Sequence, residues 1–227
     1  GNLELARNLS ALNKRTKNIS VNFIINGYDD GKSTGFLRKL VPGMLGPSDF
    51  RKNCSNLLEA NDQREEILKK IIEFRIKDFG MYKRLIKKLE KKDKYSFNFI
   101  DHLPWNKYLN FIDLMKLFNR YLKKQKFNKK EFLDISLGNI IFTAIFFKKK
   151  NNFNLTIKSF SKFFEIDHNL YNVTDGKNLF LCALASNGSF LKDEVSIIEN
   201  KKKDKIKEIF LLKEKLVKKQ IEHLNKF

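Results

Sequence analysis

Two adjacent aspartates followed by a glycine- and hydroxyl-rich run offer the clearest chemistry in this chain. Asp29-Asp30-Gly31-Lys32-Ser33-Thr34-Gly35 comes directly after the apolar stretch Val21–Asn26. Adjacent carboxylates at the end of a strand could hold Mg²⁺ against a substrate phosphate, act as general bases, or accept hydrogen bonds from a ribose or base. Gly31, Ser33, Thr34 and Gly35 let the backbone turn and supply amides and hydroxyls beside them. The competing reading is an acidic turn in which Asp29 or Asp30 caps the next helix. Gly31-Lys32-Ser33 does not make a P-loop. Counting back to Gly27 leaves one residue too few, and two of the intervening residues are acids.

A second group lies at Pro47-Ser48-Asp49-Phe50-Arg51, which reads as a helix start with Ser48 at the N-cap. Free amides at such an end attract anions, and Arg51 can add a charge-assisted bond. Ser136-Leu137-Gly138-Asn139, ahead of the apolar run Ile140–Phe147, is a third terminus of the same kind. His102, His168 and His223 stand apart from one another, and no nucleophile triad can be drawn.

These residues need a scaffold, and the pattern predicts an α/β one. Leu3, Ala6, Leu9 and Leu12 share a helix face, Val21–Asn26 reads as a buried strand, and the glycine-rich turn follows. An amphipathic helix is expected from Asp62 to Leu89, bent at Gly80, with another over Trp105–Lys124 and a third over Leu155–Phe164. Val173, Leu179–Leu184 and Val195–Ile198 read as strands, with a tight turn at Asn187-Gly188. The tail from about 203 to 225 reads as an amphipathic helix. At 227 residues the chain suits one domain, 1–227, with a lysine-rich helical insertion over about 61–127.

The formal charge is +20, yet only eight of the 46 basic residues are arginine. Between Asn26 and Glu59 five bases face four acids. The surplus charge therefore belongs to solvated helix faces, and no specific nucleic-acid partner is expected. Cys54 and Cys182 lie far apart, which points to a reducing cytoplasm. No apolar run approaches the roughly 18 residues of a membrane span.

Taken together, Asp29-Asp30-Gly31-x-Ser33-Thr34-Gly35-x-Leu37-Arg38, the Pro47–Arg51 run and Gly138-Asn139 resemble the CofD/YvcK family. The resemblance implies a Rossmann-like three-layer α/β sandwich with a mostly parallel sheet. It also implies a nucleotide or nucleotide-sugar ligand, and a homodimer is compatible with it. One branch transfers a phospholactyl group from a guanosine diphosphate-activated donor with Mg²⁺. The other binds UDP-sugars as a metabolic regulator without turnover. The implied ligand-binding residues are Gly1, Asn2, Gly31, Ser33, Thr34, Gly35, Ser48, Asp49, Arg51 and Asn139, with Asp29 and Asp30 as catalytic and metal-binding groups. By the same resemblance Gly1-Asn2 is the end of the family's glycine-rich loop, so a preceding strand is expected upstream and the chain reads as a piece of a longer protein. Lys52 stands between Arg51 and Asn53, where the family has Arg-Asn, and Asp134 and Ser136 occupy the neighbourhood of a family histidine.

Overall fold

A helix that is apolar on every side must lie inside the molecule, and the segment Leu-Gly-Asn-Ile-Ile-Phe-Thr-Ala-Ile-Phe is one. The computed structural model describes residues 8, 12, 21–58, 62–90, 97–200 and 204–214. Its elements begin with β1 (Asn22–Ile25), α1 (Lys32–Leu40), α2 (Ser48–Leu57), α3 (Gln63–Glu73), β2 (Arg75–Ile76) and α4 (Phe79–Leu89). Next come α5 (Trp105–Lys124), β3 (Ile135–Ser136), α6 (Leu137–Lys148), α7 (Phe153–Phe163) and β4 (Asn169–Asn172). The last are β5 (Phe180–Ala185), β6 (Phe190–Leu191), α8 (Glu194–Ile198) and β7 (Ile206–Leu212). Short 3-10 turns sit at Asn98–His102 and Lys129–Glu131.

Helix α6 is the hub. Its residues from Leu137 to Phe146 are all buried, and α2, α3, α5 and α7 pack around it. Phe142 meets Phe153 at 5.2 Å and Phe160 at 5.1 Å between ring centroids, and Phe50 packs against both Phe142 and Phe153. Such a core fixes the N-terminus of α6, and with it Asn139, against the starts of its neighbours.

The fold is α/β, but among the described residues parallel pairing is confined to β1 with β4, from Asn22↔Asn169 to Ile25↔Asn172. The pairs β2–β3 and β6–β5–β7 are antiparallel. The buried strand expected at Val21–Asn26 is buried only at Ile25; Ile24 is 74% exposed. In this two-stranded sheet one face packs inward and the alternation places Ile24 and Tyr171 on the other.

Three further expectations are corrected. The long helix over 62–89 is two helices. Phe74 leaves α3 to pair β2 with β3, Leu137 N donates to Phe74 O at 2.7 Å, and Asp78 caps α4 by accepting from Met81 N at 2.7 Å. Gly80 lies in the first turn of α4, not at a bend. Val195–Ile198 is helical, because Asp193 and Ser196 form a reciprocal capping box. In the described part of the expected tail helix, residues 206–212 form a strand, where Phe210 lies opposite Cys182 and Leu212 opposite Phe180, and residues 215–225 fall outside the described residues. Asp62 accepts from Glu65 N at 2.8 Å, as expected of a helix cap. The expected N-terminal helix falls outside the described residues except for Asn8 and Leu12, which are helical. Among the described residues no helix is long and apolar enough to cross a membrane.

Candidate functional site

Two helices begin on the same cleft, and neither start carries a side-chain cap. Helix α1 opens after Gly31 and α2 after Pro47. Ser48 was expected to cap α2, but Pro47 takes that position and Ser48 is the first helical residue. Its hydroxyl is thereby released to bond Thr34 Oγ1 across the gap between the two helices.

The cleft has a volume of about 680 Å³, within the roughly 300–1,000 Å³ of small-molecule sites. Its floor is Asp29, Gly31, Ser33, Thr34 and Gly35 from one segment and Ser48 and Arg51 from the other. Lys52, Arg75, Lys130 and Lys39 add positive charge around the wall, offset by Glu131 and Asp134; Phe36 and Leu133 provide apolar surface. Part of that charge is already matched. Lys39 pairs with Glu131 at 2.9 Å, and Arg75 grips Asp134 through Nε at 2.9 Å and Nη2 at 2.6 Å. That fork holds the Asp134 carboxyl below the usual range. Arg51 is different: its Nε is buried with no hydrogen-bond partner. Uncapped helix starts, backbone amides and a half-buried guanidinium with an unpartnered Nε together suit a phosphate.

Close approach of the loops depends on small residues. Gly46 N donates to Gly27 O at 2.7 Å, and a Cβ on Gly46 would stand 2.4 Å from Asp29 O. Beneath the loop, buried Arg38 donates to Tyr28 O at 3.2 Å and Asp29 O at 3.3 Å. Its other end reaches Asn178 Oδ1 at 3.0 Å and Leu179 O at 2.7 Å.

The expected residues separate as follows. Asp29, Gly31, Ser33, Thr34, Gly35, Ser48 and Arg51 share the cleft. Asn139 is fully buried behind it and donates to Ser48 Oγ at 3.0 Å. Asp49 is not on the wall and pairs with Lys52 at 3.2 Å. Asp30 is not on the wall either; its amide donates to Glu194 Oε2 at 2.8 Å. The two aspartates are thus not presented together, because successive residues of an extended loop point in opposite directions. Gly1 and Asn2 lie outside the described residues.

This division bears on Mg²⁺. Asp29 Oδ1 already accepts from Gly31 N at 2.8 Å and Oδ2 from Thr34 Oγ1 at 3.1 Å. Among the described residues no three His, Cys, Asp or Glu side chains are grouped to hold a metal ion. The paired-aspartate metal site does not fit these residues.

Glu194 was not foreseen. It stands behind Asp29, and the two carboxyl groups are hydrogen-bonded to each other. Burial and then the neighbouring Asp29 push Glu194 up to about 7. Burial would raise Asp29 too, but hydrogen bonds from Glu194, Gly31 and Thr34 and the charge of Lys52 leave it lowered. Glu194 therefore keeps the shared proton. Because its folded value lies above the 4.5 of a free glutamate, its stabilising contribution is complete below that value and is lost as pH rises through 7. Thermal unfolding of the wild type should show this loss between about pH 5 and 8. Glu194→Gln should flatten it; an unchanged profile would remove Glu194 as its source.

A family model described as 2-phospho-L-lactate transferase CofD matches residues 2–226. The fold is similar to a crystal structure of protein BH3568 from Bacillus halodurans. That match has 19% identity and a TM-score of 0.55, covering 98% of this chain and 52% of that one. A second structure, of a UPF0052 family member (BH3568) from Bacillus halodurans, gives 19% identity and a TM-score of 0.57, covering 92% and 46%. The chain thus spans about half the length of the solved structures it matches. A comparison with curated proteins found no match. A match over residues 2–226, nearly the whole chain, places this protein in the 2-phospho-L-lactate transferase CofD family.

Proposed function

We propose that the cleft binds the phosphates of a nucleotide-activated donor and transfers a phosphate-linked group to an acceptor hydroxyl, as the family description implies. The observation that carries this reading is the convergence of two uncapped helix starts and the unpartnered Arg51 Nε on one cavity. In the reaction the acceptor oxygen attacks phosphorus and a nucleoside monophosphate leaves. Asp29, kept ionised by its hydrogen bonds, is the group placed to take the hydroxyl proton. Arg51 and the amides of α1 and α2 offset the charge that grows on the leaving phosphate. Mg²⁺ entering with the donor would be held by phosphate oxygens and water, which is its usual mode where carboxylates are few.

The test is a thermal-shift and calorimetric series with GDP, UDP and UDP-N-acetylglucosamine, each with and without Mg²⁺. The expected result is stabilisation by GDP, with monophosphate release once a guanosine diphosphate-linked donor and an acceptor alcohol are supplied. Stabilisation by UDP-N-acetylglucosamine without product would replace transfer by ligand sensing. No response to any nucleotide would end the reading.

A further inference from the structure

Five side chains from five separate segments form one hydrogen-bonded line, three of them on the cleft floor and one behind it at each end. They are Glu194 of α8, Asp29 after β1, Thr34 of α1, Ser48 of α2 and Asn139 of α6. Counting hydrogens fixes its direction. Thr34 has one hydroxyl hydrogen, which goes to Asp29 Oδ2 at 3.1 Å. Its contact with Ser48 must then use the serine's hydrogen. Ser48, having donated, can only accept further bonds, and Asn139 Nδ2 donates to it at 3.0 Å. With the Asn139 amide turned over, Ser48 would donate to it and face Thr34 with no hydrogen between them. At the other end Glu194 donates to Asp29 while its Oε2 accepts from Asp30 N at 2.8 Å.

We infer that Glu194 and Asn139 are positioning residues that lock this line one way, so that Asp29 is its terminal carboxylate and the Thr34 and Ser48 hydroxyls offer the cleft lone pairs only. The consequence concerns ligand class. Thr34 and Ser48 do not donate to phosphate; they accept from a hydroxyl or amide carried beside it. Phosphate is left to the backbone amides, Arg51 and Lys52. The hydrogen on Glu194 matters because two facing carboxylates would repel, turning Asp29 away from Thr34 and releasing the threonine hydrogen. This inference rests on the proposed nucleotide reading for its ligand, though not for the line itself.

GDP binding should be titrated calorimetrically into the wild type, Glu194→Gln, Glu194→Ala and Asn139→Asp. Glutamine can donate to Asp29 and accept from Asp30 N, so it should bind within about threefold of wild type. Alanine should bind about tenfold more weakly, the scale of a lost bond to a charged group. Asn139→Asp, which would draw the Ser48 hydrogen the other way, should lose at least as much. Alanine binding like the wild type, or glutamine as weak as alanine, overturns the inference. The ligand-free protein gives a separate reading: the Thr34 and Ser48 hydroxyl protons should exchange slowly with solvent by NMR. Fast exchange in the wild type overturns the line whatever binds. Slow exchange with no GDP binding overturns only the nucleotide reading.

Discussion

Arg51→Met should reduce nucleotide affinity by roughly 10- to 150-fold, the loss expected for a charge-assisted bond to phosphate, while leaving the ligand-free protein as stable as before or more so. The two halves of this expectation have one cause. The Arg51 guanidinium is desolvated by burial and repelled by Arg75, with Glu73, Asp49 and Asp29 only partly compensating. Its Nε finds no partner in the protein. A half-buried cation whose Nε is unpartnered is held at a cost that a ligand anion reduces on binding. Methionine keeps an unbranched stem against Gly138, where a Cβ would stand 2.7 Å from Arg51 Cγ. It therefore separates the charge from the packing. Equal affinity in Arg51→Met and wild type would remove Arg51 from the site. A fall in ligand-free Tm of several degrees would show that Arg51 is a structural residue instead.

How much of this could be read from the chain differs between floor and wall. Asp29, Thr34, Ser48 and Arg51 were legible because each belongs to a local grammar: an acid after a strand, a hydroxyl and a base at a helix start. The pairing of Asp29 with Asp30 misled, since adjacency in sequence says little about which side of a loop a side chain takes. Glu194 had no local signal. It lies 164 residues from Asp30, in a Val-Ser-Ile-Ile stretch whose β-branched content resembles a strand, and its placement depends on the Asp193 capping box and on how β5 and β6 pair. Arg75 and Lys130 were hidden by composition, because among 46 basic residues nothing local separates a wall residue from a solvated one. Elements followed the same division. The α5 boundaries Trp105 and Lys124 match the apolar period, whereas β2 is two residues long and the helical period runs unbroken across it. At β7 a helical period and a strand alternation are both present, and the apolar partner β5 decides between them.

Gly46→Ala should cost stability, although an ordinary helix or loop would gain from the change. The added methyl would lie 2.4 Å from Asp29 O and 2.8 Å from Thr34 Cγ2. The first contact is backbone and cannot swing aside, so the loops carrying Asp29 and Ser48 must part. The bond from Gly46 N to Gly27 O, now 2.7 Å, would lengthen with them. Overpacking of this kind costs about 1–3 kcal/mol, which in a chain of this size lowers Tm by roughly 3–10 °C. Nucleotide affinity should fall as well, because the displaced groups are the floor of the cleft. Gly43 provides the control three residues away: its φ is +87° with open space where a Cβ would go. Gly43→Asn, a residue that tolerates left-handed backbone, should stay within about 1 kcal/mol of wild type and bind nucleotide normally. Thermal unfolding and GDP titration of the two variants decide the matter. If Gly46→Ala melts and binds like Gly43→Asn, the two loops are not in the contact that joins Asp29 to the start of α2.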